Sequence, residues 1–162
     1  MRERASPTTR AGYTRLRWVA DGKERVDLEL QRHLLGEARV GRLATVDAGG
    51  NPHVVPVCFA VDGDTVYWAV DHKPKASRRL WRLANIEVHP VAELVVDHFA
   101  EDWSELWWVR VSADAEVLQP GAETERALDL LAAKYEHYLE RRPDGPVVRL
   151  AVRRWRGWAA SL

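Results

Sequence analysis

Between Trp107 and Val117 apolar and polar residues alternate without a break, Trp107, Val109, Val111, Ala113, Ala115 and Val117 against Trp108, Arg110, Ser112, Asp114 and Glu116. A period of two is the mark of a half-buried strand. Shorter runs of the same kind predict strands over Val40–Val46, Thr65–Val70, Val91–His98 and Val147–Trp155. The stretch from His53 to Val61 is apolar on both alternating sides, so it needs cover on two faces. Within it Pro56 cannot donate a ladder hydrogen bond, which marks a sheet edge or a break in pairing. Asp47-Ala48-Gly49-Gly50-Asn51-Pro52 and Asp62-Gly63 supply the turns on either side.

Three segments carry helical spacing instead. Asp27 is a suitable N-cap for a helix over 27–38, with Leu30, Leu34, Leu35 and Ala38 on one face. Lys75–Ile86 places Leu80, Leu83 and Ala84 inward and Arg78, Arg79 and Arg82 outward, with Asn85 and Pro90 marking its end. Glu123–Glu140 turns Leu128, Leu131, Tyr135, Tyr138 and Leu139 inward and gathers acids at its start, where the helix dipole favours them. The order predicts a mainly β protein: a six-stranded antiparallel barrel with flanking helices, over residues 27–162. Residues 1–26 are expected to form a flexible basic arm.

Length and composition narrow the class. At 162 residues the chain accommodates one domain with a real core. Charged residues make up 30%, no apolar run reaches membrane-spanning length, and the expected location is the cytoplasm. The formal net charge is zero, which removes any global attraction to nucleic acid. Seven cations (Arg2, Arg4, Arg10, Arg15, Arg17, Lys23, Arg25) and three acids (Glu3, Asp21, Glu24) nevertheless give residues 1–25 a net +4, leaving −4 elsewhere. That arm lacks the apolar segment of a secretory signal. The one cysteine, Cys58, excludes an internal disulfide and is expected to be a core thiol. Eight tryptophans are many for this length and point to a pocket, a subunit interface, or both.

Two stretches carry candidate chemistry. In Asp71-His72-Lys73-Pro74-Lys75-Ala76-Ser77, the lysines, Arg78, Arg79 and the Ser77 hydroxyl gather where a helix is expected to begin. Cations, a hydroxyl and oriented N–H groups are what a phosphate requires; a solvated basic helix face is the alternative. In Glu101-Asp102-Trp103-Ser104-Glu105-Leu106-Trp107-Trp108, one strand face cannot bury all three tryptophans. Trp103 and Trp108 are left to a dimer seam or to a ligand. No nucleophile–base pairing and no metal-ligand spacing such as His-Glu-x-x-His is found, so catalytic residues remain unassigned and no metal is expected.

Lys73-Pro74-Lys75, Asn85-Ile86 and the string from Val96 to Val111 (VDHFAEDWSELWWVRV) resemble the FMN-binding split-barrel superfamily of pyridoxamine 5'-phosphate oxidase. Within it they are most similar to the actinobacterial branch that uses the deazaflavin coenzyme F₄₂₀. The resemblance spans about residues 27–158. It implies a homodimer with cofactor sites at the subunit interface and a hydride-transferring oxidoreductase that reduces an unsaturated or conjugated small molecule. The alternatives are FMN in the same fold, or a non-catalytic flavin, deazaflavin or haem carrier. By the same resemblance Lys73, Lys75, Ser77 and Arg79 hold the cofactor phosphate. The ring lies along His53, Val55, Pro56 and Val57, bordered by Val70 and Asp71, and Trp103 flanks it. His53 and Asp71 are the candidate proton sources.

Overall fold

The computed structural model describes residues 17–18, 24–71 and 80–161. Two short strands, β1 (Arg17–Trp18) and β2 (Glu24–Arg25), precede helix α1 (Leu28–Glu37). Strands β3 (Gly41–Val46), β4 (Pro52–Val57), β5 (Ala60–Asp62) and β6 (Thr65–Ala69) lead to helix α2 (Trp81–Val88). Strands β7 (Val91–His98) and β8 (Trp107–Val117) flank a 3₁₀ turn at Trp103–Glu105, followed by helices α3 (Ala122–Lys134) and α4 (Glu136–Glu140) and strand β9 (Val147–Ala159). The sheet runs β1-β2-β9-β8-β7-β3-β4 with every pairing antiparallel, while β6 joins a second side of β9 and carries β5. The result is a mainly β, curled antiparallel sheet with flanking helices, a split barrel as the strand order implied. The six expected strands are all present, the second of them divided, with β1 and β2 added along β9.

The core follows the alternation. Leu43, Leu94, Val96, Val109, Val111, Ala113 and Leu150 are buried on the concave face with Phe59, Trp68 and Leu35 of α1. Asp27 caps α1 as expected, its carboxylate accepting from the Leu30 N–H at 2.8 Å. Asn85, expected to close α2, instead sits inside it: the buried side chain donates to Thr45 Oγ1 at 3.0 Å and ties the helix to β3. The Asp62-Gly63 hairpin holds Gly63 at φ 59°, the left-handed region that favours glycine. Gly145 is required for another reason. A Cβ there would stand 2.7 Å from Val70 Cβ and 2.7 Å from the Val70 carbonyl oxygen, beside the bond from Val70 N–H to the Pro146 carbonyl.

Two expected continuities are broken, and one side chain accounts for both. The apolar run from His53 to Val61 leaves the ladder at Cys58 and Phe59, and the Glu123–Glu140 helix is interrupted at Tyr135, whose backbone is extended (φ −122°, ψ 113°). The Tyr135 hydroxyl accepts from Phe59 N–H at 3.0 Å and lies 2.9 Å from the carbonyls of both Phe59 and Arg39, between which its one proton is shared. Backbone groups that leave a strand inside a protein need new partners. Here a tyrosine supplies them.

Beside this junction Lys134 donates to the Ala38 carbonyl at 2.7 Å and lies 4.2 Å from the centre of the Phe59 ring. Burial, then the charge of Arg39, pulls its ammonium down from 10.5 to about 8. A lowered lysine value means that folding disfavours the charged form, so the unfolded chain binds more protons between the two values. Wild type is therefore expected to gain stability relative to Lys134→Met as pH rises from about 8 to 10.5. Denaturant midpoints of both proteins across that window check this.

Candidate functional site

Where β4 leaves the ladder, its end, the end of β6 and the start of α2 surround a cleft of about 260 Å³. Val55, Pro56, Val57 and Cys58 form one wall and Ala69 with Asp71 another; Leu80, Arg82 and Tyr138 complete it. Among the described residues β4 pairs only with β3, so its second edge is open beside the cleft. Pro56 thus lies on an edge strand, one of the two places its missing N–H allows.

The polar end is built by three side chains. Tyr138, buried on α4, donates its hydroxyl to Asp71 Oδ2 at 3.0 Å. Burial first, then the neighbouring Cys58 and Asp71, pushes the Tyr138 hydroxyl well up, so it remains a proton-bearing donor. Arg82 lies with its guanidinium carbon 5.1 Å from the centre of the Trp68 ring. Burial lowers its pKa and the Asp71 charge counters that. Its Nε–H is enclosed and has no hydrogen-bond partner among the described residues.

Four of the residues singled out from sequence, Val55, Pro56, Val57 and Asp71, meet in this cleft. Lys73, Lys75, Ser77 and Arg79 lie outside the described residues, but the residues on either side of that stretch, Asp71 and Leu80, both line the cleft. Val70 is buried in the core under Gly145. His53 stands further along β4 opposite Thr45, half-buried, its Nδ1 without a hydrogen-bond partner among the described residues. Of the two candidate proton groups only Asp71 reaches the cleft. Trp103 is 72% exposed on the 3₁₀ turn that Asp102 caps, away from the cleft lining. Trp108 is half-buried on the outer sheet face, opposite Asp97 and Trp158.

Three features differ from the sequence reading. Leu80 is extended and α2 starts at Trp81, so the helix does not run unbroken from Lys75 and its free N–H groups lie beyond the basic stretch. Leu80 and Leu83 pack inward as expected, but Arg82, expected outward, lines the cleft beside Trp68. Cys58, expected in the core, is half-buried: it packs against the cluster of Ala60, Leu131 and Tyr138 and also lines the cleft. Tyr138 was legible as inward-facing, but its place beside Asp71 was not, because the break at Tyr135 that aims it is a tertiary effect. Among the described residues no group of three or more His, Cys, Asp or Glu is arranged to hold a metal ion, and no helix is long and apolar enough to cross a membrane.

A curled antiparallel sheet with a cleft at an open strand edge is the architecture of the split barrels. Residues 28–159 match the family described as pyridoxamine 5'-phosphate oxidase, and the chain belongs to that family. Solved structures agree on the fold. A conserved hypothetical protein of Mycobacterium tuberculosis superimposes with a TM-score of 0.68 at 19% identity, over 91% of each chain. An FAD-binding protein of Mesorhizobium loti gives 0.63 at 20% identity, over 83% of this chain and 93% of its own. The haem storage protein HutZ of Vibrio cholerae gives 0.62 at 17% identity, over 83% and 96%. No curated protein matches the sequence.

Proposed function

We propose that the protein is a cytoplasmic oxidoreductase that binds coenzyme F₄₂₀ in this cleft and reduces an unsaturated or conjugated small molecule. The observation that carries the reading is the cleft itself: valines on one wall, with a cation, a carboxylate and a tyrosine hydroxyl at one end, and Asp71 and Leu80, the described residues nearest in sequence to the lysine-rich stretch 73–79, both in its lining. About 260 Å³ is just below the usual range for a whole small-molecule pocket, which fits enclosure of one end of a ring while the remainder lies along the open edge of β4. Bound and reduced, F₄₂₀ supplies a hydride. Val55 and Val57 cover the ring face and exclude water, and Asp71, held by Tyr138, fixes a polar edge. Lys73, Lys75, Ser77 and Arg79 take the phosphate. F₄₂₀ is preferred to FMN on the resemblance of the Val96–Val111 string. The FAD-binding relative from Mesorhizobium loti supports a flavin as the second reading, and HutZ a carrier without turnover.

The active form in this proposal is a homodimer. Val54 is 60% exposed beside Pro56 on the outer face of β4, and Trp81, Phe99 and Trp103 are exposed as well. Apolar surface of that kind commonly marks an interface. A second subunit also brings Trp103 within reach of a ring that one chain leaves half open. Sedimentation of the purified protein is expected to give twice the chain mass of 18.5 kDa. Reduced F₄₂₀ is expected to be oxidised in the presence of at least one acceptor from a panel of enones and tetrapyrroles. Binding of the cofactor without turnover on any acceptor would leave the carrier reading in its place.

A further inference from the structure

We infer that Arg82 and Asp71 together recognise the pyrimidinedione edge of the bound ring, Arg82 donating to the C2 carbonyl oxygen and Asp71 accepting from N3–H; the inference rests on the cofactor reading above. The Arg82 guanidinium carbon lies 5.1 Å from the centre of the Trp68 ring, which is 1% exposed and cannot move without disturbing the core. The guanidinium thus rests beside an immobile ring, and its enclosed Nε–H has no hydrogen-bond partner among the described residues. A buried donor without a partner is costly, so a ligand oxygen that reaches it gains more than it would in water. Asp71 lines the same cleft and its charge acts on Arg82. Tyr138 orients the carboxylate through Oδ2, and an ionised carboxylate accepts several further donors.

A cation and a carboxylate in a cleft walled by Val55 and Val57 make a donor beside an acceptor. The imide edge of a flavin or a 5-deazaflavin presents the complement, C2=O next to N3–H. A phosphate has acceptors only and would be repelled by Asp71. This separates the two ends of the ligand: the ring edge at Arg82 and Asp71, the phosphate at 73–79. Because the imide edge is common to both cofactor types, these two residues set affinity for the ring without choosing between them.

The test is a set of fluorescence titrations on the full chain. The probes are F₄₂₀, its ring-and-ribityl fragment without phosphate, and that fragment methylated at N3; FMN, riboflavin and N3-methylriboflavin form the parallel flavin series. For the series that wild type binds, N3 methylation is expected to weaken binding about tenfold, since one charge-assisted hydrogen bond is lost. Arg82→Met is expected to weaken the phosphate-bearing and phosphate-free probes by the same factor, again about tenfold. Loss of affinity for the phosphate-bearing probe alone would mean that Arg82 reads the phosphate, and would overturn the inference. So would full tolerance of the N3 methyl group by wild type, a result that needs no variant to fold. If wild type binds neither series, the cofactor reading itself fails and the inference falls with it.

Discussion

Trp68→Ala is expected to cost about 3–5 kcal/mol of stability, the range for removing a large buried aromatic. Among the described residues Trp68 is the largest fully buried side chain. On β6 it stands opposite Val148 of β9, between the two parts of the sheet that the long last strand joins. Deleting the indole leaves a cavity that a rigid sheet cannot close. For a chain of this size the loss corresponds to a fall in Tm of roughly 6–20 °C. Arg82 would also lose the ring against which it lies, so ligand affinity falls even where the variant remains folded. Trp68→Phe keeps much of the volume and is expected to recover most of the stability. Thermal unfolding of the three proteins by circular dichroism decides the matter; a shift of only a degree or two in Trp68→Ala would contradict the packing described.

Tyr135→Phe is expected to cost about 1–3 kcal/mol although it removes a single oxygen. That oxygen is the partner of Phe59 N–H and of the carbonyls of Phe59 and Arg39 where β4 gives way to β5. Phenylalanine leaves these groups unpaired among Leu131, Ala132 and Tyr138. The local signature is specific: the Phe59 amide should exchange its hydrogen much faster, while the ladder between β8 and β9 retains its protection beyond the global change. The pH dependence has a defined sign. Burial pushes the Tyr135 hydroxyl up from 10 to about 12, so the fold holds the neutral form. Its contribution is complete below about pH 10 and is lost as pH rises through 12. Equal exchange rates at Phe59 in wild type and variant would remove Tyr135 as the cause of the break.

What could be read from the sequence was whatever depends on period. The alternation from Trp107 to Val117 gave β8 its bounds and its buried face, and the turn residues at Asp47–Pro52 and Asp62-Gly63 placed the hairpins. The valine wall of the cleft and Asp71 could be named only through the resemblance to the split-barrel superfamily, which places a ring along the second and third expected strands. Arg82 and Tyr138 could not. Arg82 follows a helix boundary displaced to Leu80, and the turn that carries Tyr138 to Asp71 follows the break at Tyr135, whose hydroxyl is held by Phe59, distant in the chain. Helical spacing extrapolated through the break at Tyr135 places Leu139 inward, where it is 68% exposed. The long apolar run from His53 misled in the same way: it reads as one strand, but a side chain from α3's far end takes over its backbone bonds midway.

The most direct test of the central claim is a binding titration of purified protein with F₄₂₀ and, separately, with FMN, followed by ligand fluorescence. Saturable quenching with F₄₂₀, weaker with FMN and reduced in Lys75→Ala, is the expected result. Saturable binding of FMN with none of F₄₂₀ would contradict the choice of cofactor, and absence of binding to both would contradict the assignment of the cleft as a cofactor site.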